Sequence, residues 1–291
     1  GFVTLPHDVP MLSIDNSYST EDIASWVRSI FPEVDPECRR LDAEIARAEA
    51  GETTGDTGLF GDTGEKVSKS KRINTLKQKK RDRIAEAERA GFPIDLVCDP
   101  KIDGVAISLR YEQGVLVRAV TRGDGQRGDD VTAQVRAIRA IPLRLSGAAP
   151  PVLGIRGEIF MDNVVFESLN ERRRLAGEAL YANARNVTAG TLKSLDPAVV
   201  ADRQLRFSAH GLGECEGWDG GGAYSAYVDA LREFGVPVSG ELRLVEELPA
   251  LVDTVRGFDA RRAELGFGVD GMVVRVDSFA QQATLGATSK A

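Results

Sequence analysis

The residues best equipped for chemistry sit in the run Leu96-Val97-Cys98-Asp99-Pro100-Lys101-Ile102-Asp103-Gly104-Val105-Ala106-Ile107-Ser108-Leu109. A lysine amine becomes a nucleophile only after losing its proton, and burial or a neighbouring cation lowers its pKa enough for that. Alternating apolar residues on both sides place Lys101 at a strand end or in a loop, where the amine can face a pocket. Gly104 would let the backbone approach a ligand closely. Taken alone, Lys101-Ile102-Asp103-Gly104 also reads as a solvated β-turn with Asp-Gly as its turn residues.

Three further clusters follow in order: Thr121-Arg122-Gly123-Asp124-Gly125, Arg156-Gly157-Glu158, and Asp270-Gly271-Met272-Val273-Val274-Arg275-Val276. Singly, Arg122 also reads as a surface turn arginine and Glu158 as a strand-end carboxylate in a surface ion pair. As an ordered set, the motifs resemble those of covalent nucleotidyltransferases, and specifically the adenylation domain of bacterial NAD-dependent DNA ligases. His7-Asp8-Val9-Pro10-Met11-Leu12-Ser13-Ile14-Asp15-Asn16 is similar to that family's His-x-x-Pro-Met-Leu-Ser-Leu-x-Asn segment. Residues 96–142, Tyr181-Ala182-Asn183-Ala184-Arg185-Asn186 through Leu195-Asp196-Pro197, and Leu285–Ala291 extend the match.

The resemblance implies a chemistry and a set of roles. A lysine attacks the α-phosphate of NAD and expels nicotinamide mononucleotide. The lysine-bound AMP passes to the 5′-phosphate of nicked double-stranded DNA, and a 3′-hydroxyl displaces it. By resemblance Lys101 is the nucleophile, and Asp99 takes the place of a glutamate that faces the adenine. Ser13 and Ile14 match dinucleotide contacts. Arg122 and Glu158 match nucleotide-binding residues, with Glu158 also suited to the ribose or a metal. Arg262 matches another site arginine, and Arg185 one near the DNA backbone. Attack at a phosphate builds negative charge on its non-bridging oxygens, which Arg122, Arg275 and bound Mg²⁺ would stabilise.

Besides Asp99, the chain departs from the family pattern at three positions. Arg275 stands where the family has a lysine. Arginine keeps the charge, but it cannot donate a proton near neutral pH, and its planar fork differs from a compact ammonium. Lys193 replaces an arginine at a phosphate contact. His210 replaces the tyrosine expected to stack on adenine; an imidazole stacks with less area, and a lone histidine also reads as a packing residue. The family carries a small helical domain before the Pro-Met-Leu-Ser segment, and OB-fold and later domains after this region. The chain is therefore expected to be a fragment of a longer ligase or a reduced paralogue. A catalytically weakened paralogue holding nucleotide or DNA is the alternative function. A related enzyme using ATP or capping RNA is disfavoured by Pro10-Met11-Leu12-Ser13 and Tyr181–Asn186.

The elements that position these residues read as α+β, with antiparallel strands interleaved with helices. The family fold, a nucleotidyltransferase core similar to ATP-grasp with two packed antiparallel sheets and the nucleotide between them, agrees. Strands are expected at 95–99, 104–111, 115–121, 152–160, 204–212 and 269–276, with a hairpin turn at Gly114. Helices are expected at 131–138, 163–176, 185–195, 223–234 and 249–264. Residues 1–20 read as an irregular lead-in. Ser19 or Thr20 caps a short helix bearing Ile23, Trp26, Val27 and Ile30, which Pro32 and Pro36 break. The family-like core is expected at 1–32 and 96–291, with 33–95 an atypical insertion. Within it, 35–50 is a helix carrying Leu41, Ile45 and Ala48. Residues 51–64 repeat Gly-Asp-Thr-Gly as a loop, with calcium binding a remote reading of it. Residues 66–90 form a basic helix that either touches DNA phosphates or forms a solvated helical hairpin with 35–50.

Composition sets the outer bounds. A chain of 291 residues with 42% hydrophobic side chains can bury a substantial core, and 28% charged residues fit a soluble protein. No membrane span or signal peptide is visible, so a cytoplasmic location is expected. Cys38, Cys98 and Cys215 are widely spaced and read as free thiols. The net charge of −7 does not advertise nucleic-acid binding, yet residues 65–90 hold ten Lys or Arg against four Asp or Glu, a net of +6 that leaves −13 for the remainder.

Overall fold

The structure, a computed structural model, describes residues 2–11, 19–50 and 69–286. Strand β1 (Thr4–Pro6) precedes three helices, α1 (Thr20–Val34), α2 (Pro36–Ala50) and α3 (Lys69–Arg89). Strands β2 (Leu96–Ile102), β3 (Val105–Glu112), β4 (Val115–Thr121) and β5 (Arg127–Asp129) follow, then helix α4 (Thr132–Val135) and strand β6 (Val152–Phe160). Helices α5 (Asn163–Leu175), α6 (Ala184–Leu192) and α7 (Pro197–Asp202) lead to β7 (Arg206–Glu216). The remainder is α8 (Tyr224–Glu233), β8 (Arg243–Val245), α9 (Leu248–Arg261), β9 (Val269–Val276) and α10 (Phe279–Leu285).

The named strands form three antiparallel groups: a pair β1-β5, a three-stranded sheet β8-β2-β9 and a four-stranded sheet β4-β3-β6-β7. The mixture of helices and antiparallel sheets is α+β, as the interleaved periodicities indicate. Gln113 and Gly114, with φ of 48° and 73°, make the two-residue loop between β3 and β4. Two positive φ values match the right-handed twist of the flanking strands, which is why a glycine sits there.

Two main cores divide the chain. One gathers Ile107, Leu109 and Tyr111 of β3, Leu153 and Ile155 of β6, Tyr224 and Tyr227 of α8, and Val97 of β2. The other packs Leu96 and Cys98 of β2 against Val27 and Phe31 of α1, Ala87 of α3 and Leu251 of α9. Each fully buried Leu, Ile or Phe contributes about 1.5–3 kcal/mol. Alternation along β2 thus sends even-numbered residues toward the helices and odd-numbered ones the other way.

Helix α1 begins at Ser19 in a capping box: Ser19 Oγ accepts from Asp22 N–H, and the Asp22 carboxylate accepts from Ser19 N–H. Pro32 does not break this helix but lies inside it. It falls in the last turn, where one missing N–H bond costs little and the chain is already about to leave the helix. Asp35 makes the corner: its N–H donates to Phe31 O at 2.9 Å, and its Oδ1 accepts from Cys38 N–H, also at 2.9 Å. Pro36 follows as the first residue of α2, where a proline has no donor to lose.

Helices α2 and α3 form the antiparallel hairpin, packed through Leu41, Ile45, Ala48 and Leu76. The glycine-rich repeat at 51–64 lies outside the described residues. The lead-in contains a strand, β1, and α4 is much shorter than the helix expected over 131–138. Among the described residues no helix is long and apolar enough to cross a membrane. Cys38, Cys98 and Cys215 are free, and burial pushes the Cys98 thiol up to about 12.

Candidate functional site

Antiparallel pairing of β2 with β9 builds one wall of the site. The register sets Val97 opposite Arg275, Asp99 opposite Val273 and Lys101 opposite Gly271. Asp99, Lys101 and Arg275 therefore share the face turned away from α1 and α3, and Asp99 and Arg275 are diagonal neighbours.

Asp99 is 3% exposed. Burial pushes its carboxyl above the usual carboxylate range, against the opposing pull of Arg275, Ser239, His210 and Tyr224. Tyr224 Oη donates to Asp99 Oδ2 at 3.3 Å, while Asp99 Oδ1 is buried without a hydrogen-bond partner among the described residues. Arg275 Nη1 donates to the His210 carbonyl at 2.8 Å, and the guanidinium carbon lies 4.1 Å from the centre of the Tyr224 ring. Stacking on an aromatic face suits a planar guanidinium, so the local packing accommodates an arginine at this position. Arg275 Nε is a second buried polar atom without a partner among the described residues.

The opposite wall comes from β6 and β7. Their register runs Gly157 with Ala209 and then Arg156 with Gly211, leaving His210 as the extra residue of a β-bulge. A bulge re-aims a side chain and releases a backbone group from the ladder. The His210 carbonyl goes to Arg275, and His210 Nε2 sits 3.6 Å from Glu158 Oε2.

Asp103 and Gly104 join the two walls, carrying the chain from β2 in one sheet to β3 in the other. Gly104 is required by the protein's own backbone. A Cβ there would collide with the Ile159 carbonyl and lie 2.9 Å from Glu158 Cγ. Close approach is thus to strand β6. Lys101 is the penultimate residue of β2, with its side chain 35% exposed and its Nζ 3.8 Å from Asp270 Oδ2. Among the described residues the charge paired with the amine is this carboxylate. Arg185 Nη1 pairs with Asp103 Oδ1 at 3.2 Å, which sets the Tyr-Ala-Asn-Ala-Arg-Asn segment against the lysine motif.

Arg122 follows β4, with its N–H donating to Ala106 O at 3.0 Å, and Ala106 pairs with Glu158 across β3 and β6. The loop after it turns on Gly123, whose φ is 55° and whose missing Cβ would strike the Arg127 carbonyl. Asp124 Oδ1 accepts from the N–H groups of Gln126 and Arg127. The lead-in strand docks here: His7 Nε2 lies 3.0 Å from Arg122 O, and Met11 N–H donates to Gly125 O at 2.7 Å. Arg156 binds the carbonyls of Val9 and Pro10. Ser13 and Ile14 lie outside the described residues.

Arg262 and Lys193 are the remaining sequence candidates. Arg262 donates to the Val269 carbonyl and so holds the entry to β9. Lys193 is the exposed C-cap of α6. Among the described residues no group of three or more His, Cys, Asp or Glu side chains is arranged to hold a metal. Sequence reasoning missed Tyr224, which touches both Asp99 and Arg275.

The arrangement brings an amine, a buried acceptor, a half-buried cation and a carboxylate to the junction of the two sheets. Comparison with known proteins points the same way. A sequence model described as the NAD-dependent DNA ligase adenylation domain matches residues 64–291, starting inside the stretch expected to be atypical. The chain is 36% identical over 98% of its length to a DNA ligase of Ectopseudomonas mendocina, and 37% identical over 99% to one of Azorhizobium caulinodans. A DNA ligase of Alcanivorax borkumensis is 36% identical over 100% of the chain. The chain spans 30–32% of the length of these curated relatives.

Proposed function

We propose, for a chain that belongs to the NAD-dependent DNA ligase adenylation domain family, that Lys101 Nζ attacks the α-phosphorus of NAD. A nitrogen–phosphorus bond to AMP forms, the bridging oxygen–phosphorus bond breaks, and nicotinamide mononucleotide leaves with that oxygen. The amine sheds its protons to solvent. The AMP then passes to the 5′-phosphate of nicked double-stranded DNA, whose 3′-hydroxyl displaces it to seal the strand. The observation that carries this reading is that Lys101, Asp99 and Arg275 share one strand face, beside the Glu158–His210 pair of the second sheet.

The nucleotide lies between the two sheets. Asp99 Oδ1, buried and without a hydrogen-bond partner among the described residues, suits the exocyclic amine of adenine. His210 stacks on the base, and Glu158 accepts ribose hydroxyls. Arg122 and Arg275 face the phosphates, where fixed cations stabilise charge that develops during attack. Ser13, Ile14 and Arg262 complete the dinucleotide contacts, and Arg185 and Lys193 meet the DNA backbone.

Mg²⁺ suits this site, because it binds through one or two carboxylates plus substrate phosphates and needs no dedicated cage. Glu158 would hold it, and its chemistry there is Lewis-acid neutralisation of phosphate oxygens. A cytoplasmic location goes with these substrates.

Intact mass after incubation with NAD and Mg²⁺, with ATP in parallel, tests the reading. An AMP adduct is expected with NAD only, mapping to Lys101 and absent in Lys101→Ala. Labelling that persists in the folded Lys101→Ala variant would sink the assignment.

A further inference from the structure

We propose that the outer face of α3 is a docking surface for the phosphate backbone of duplex DNA, separate from the nucleotide pocket. The choice of DNA as occupant rests on the ligase reading above. Helix α3 carries nine Lys or Arg and three Asp or Glu, a net of +6 in a chain whose total is −7. Like charges crowded on one helix repel and destabilise it. Part of the charge has a structural use. Lys77 pairs with Glu49 at 3.0 Å, Lys80 with Asp42 at 2.6 Å and Arg83 with Asp35 at 2.7 Å, fixing α3 against its neighbours.

Lys69 also reaches α2, donating to the Glu49 carbonyl, but three other cations of α3 have no such use among the described residues. The three carboxylates of α3 are already engaged: Glu86 with Arg83, Glu88 with Arg28, and Asp82 by the Gln78 amide. Lys79, Arg81 and Arg89 are exposed and make no ion pair among the described residues. At about 100° per residue they fan over the half of the helix turned away from Leu76, Ile84 and Ala87. Lys71 and Arg72 are exposed on the same helix.

The rest of the chain is acidic and repels a polyanion, so this helix is where a duplex gains most from counterion release. At 21 residues, α3 is about 30 Å long and can follow roughly nine base pairs. Its last turn leads through Gly91 and Phe92 into β2, and Ala87 and Phe92 pack with Leu96 and Cys98 on the sheet face opposite Asp99. The footprint therefore lies behind the pocket wall. Phosphate contacts there position a duplex without reading its sequence.

The test compares the protein with its triple variant Lys79→Gln, Arg81→Gln, Arg89→Gln. Affinity for a nicked duplex and for an intact duplex of unrelated sequence is measured across salt concentrations, with AMP transfer from NAD to Lys101 as the control for folding. The variant is expected to bind both duplexes about ten- to a hundredfold more weakly at low salt. Its log-affinity against log-salt slope should be shallower by about two to three, with AMP transfer unaltered. Unchanged affinity and slope overturn the proposal, as does a parent protein with no affinity for duplex. So does a variant that loses polyglutamate binding but keeps DNA, which would mark the face as one for an acidic polypeptide. If Lys101 takes no AMP yet the salt slope still falls, the ligase reading fails and the docking surface stands.

Discussion

The guanidinium of Arg275 lies 4.1 Å above the ring of Tyr224, and the Tyr224 phenol donates at 3.3 Å to Asp99. One side chain from the start of α8 therefore holds both the cation of β9 and the carboxylate of β2. Burial raises the phenol well above its ordinary pKa, so Tyr224 stays a neutral donor throughout the working pH range.

Graded substitutions at Tyr224 separate its two contacts. Tyr224→Phe keeps the stack and loses the hydrogen bond. Tyr224→Leu loses both, and a desolvated cation–π contact is worth about 2 kcal/mol. The initial rate of AMP transfer against NAD concentration should fall severalfold in Phe and at least about tenfold in Leu. Equal effects of the two would remove any role for the ring.

Restoring lysine at Arg275 should bring no gain. A lysine loses the planar stack on Tyr224 and the aim at His210 O. A large rise in AMP labelling for Arg275→Lys would instead show that the arginine had cost activity and would favour the weakened paralogue.

Gly104→Ala should disturb the corner between the sheets. The added Cβ meets the Ile159 carbonyl, which is ladder backbone and cannot rotate away. Such overpacking costs about 1–3 kcal/mol. Displacing Lys101 relative to Glu158 should lower AMP transfer by about a hundredfold. Thermal unfolding and labelling rate, read together, check both parts.

Asp99→Asn should stabilise the ligand-free protein at neutral pH. The folded carboxyl titrates above its unfolded value because burial outweighs the nearby cations. Its contribution to stability is full below the unfolded pKa of about 4 and is lost as pH rises through the folded pKa. The gain in Tm should therefore shrink on acidification, while the Tm shift produced by NAD is smaller than in the parent. A variant destabilised at pH 7 and equally shifted by NAD would contradict both points.

Asp35 behaves oppositely. Burial pushes its carboxyl upward, but the hydrogen bonds from Arg83 and from Cys38 N–H outweigh this and leave it below the usual range. Its stabilisation is present above the unfolded pKa of about 4 and is lost as pH falls through the folded value. Asp35→Ala should lower stability at pH 7 by about 1–3 kcal/mol. The difference from the parent should vanish well below pH 4 in chemical unfolding measured across pH.

Local sequence determined much of this molecule. Alternation around Lys101, the Gly114 turn and the Ser19 cap depend on residues within a few positions of one another, so strand, hairpin and helix start were all legible. Chemistry-bearing residues such as Arg122, Glu158 and Arg275 could be marked for the same reason, because each sits in a short motif. What no local pattern carried was partnership. Pro32 signalled a break, but it falls in a last turn that can spare its bond. Residues 131–138 had helical composition, yet only four became helix, α4. Tyr224 is 125 positions from Asp99, and nothing in Ala223-Tyr224-Ser225 distinguishes it from any core tyrosine. His210 became the free carbonyl beneath Arg275 only through a register shift between β6 and β7. Those relations arise when distant segments pack and the buried polar groups must find partners across the interface. That requirement acts on the folded chain as a whole, and so only the tertiary structure decided it.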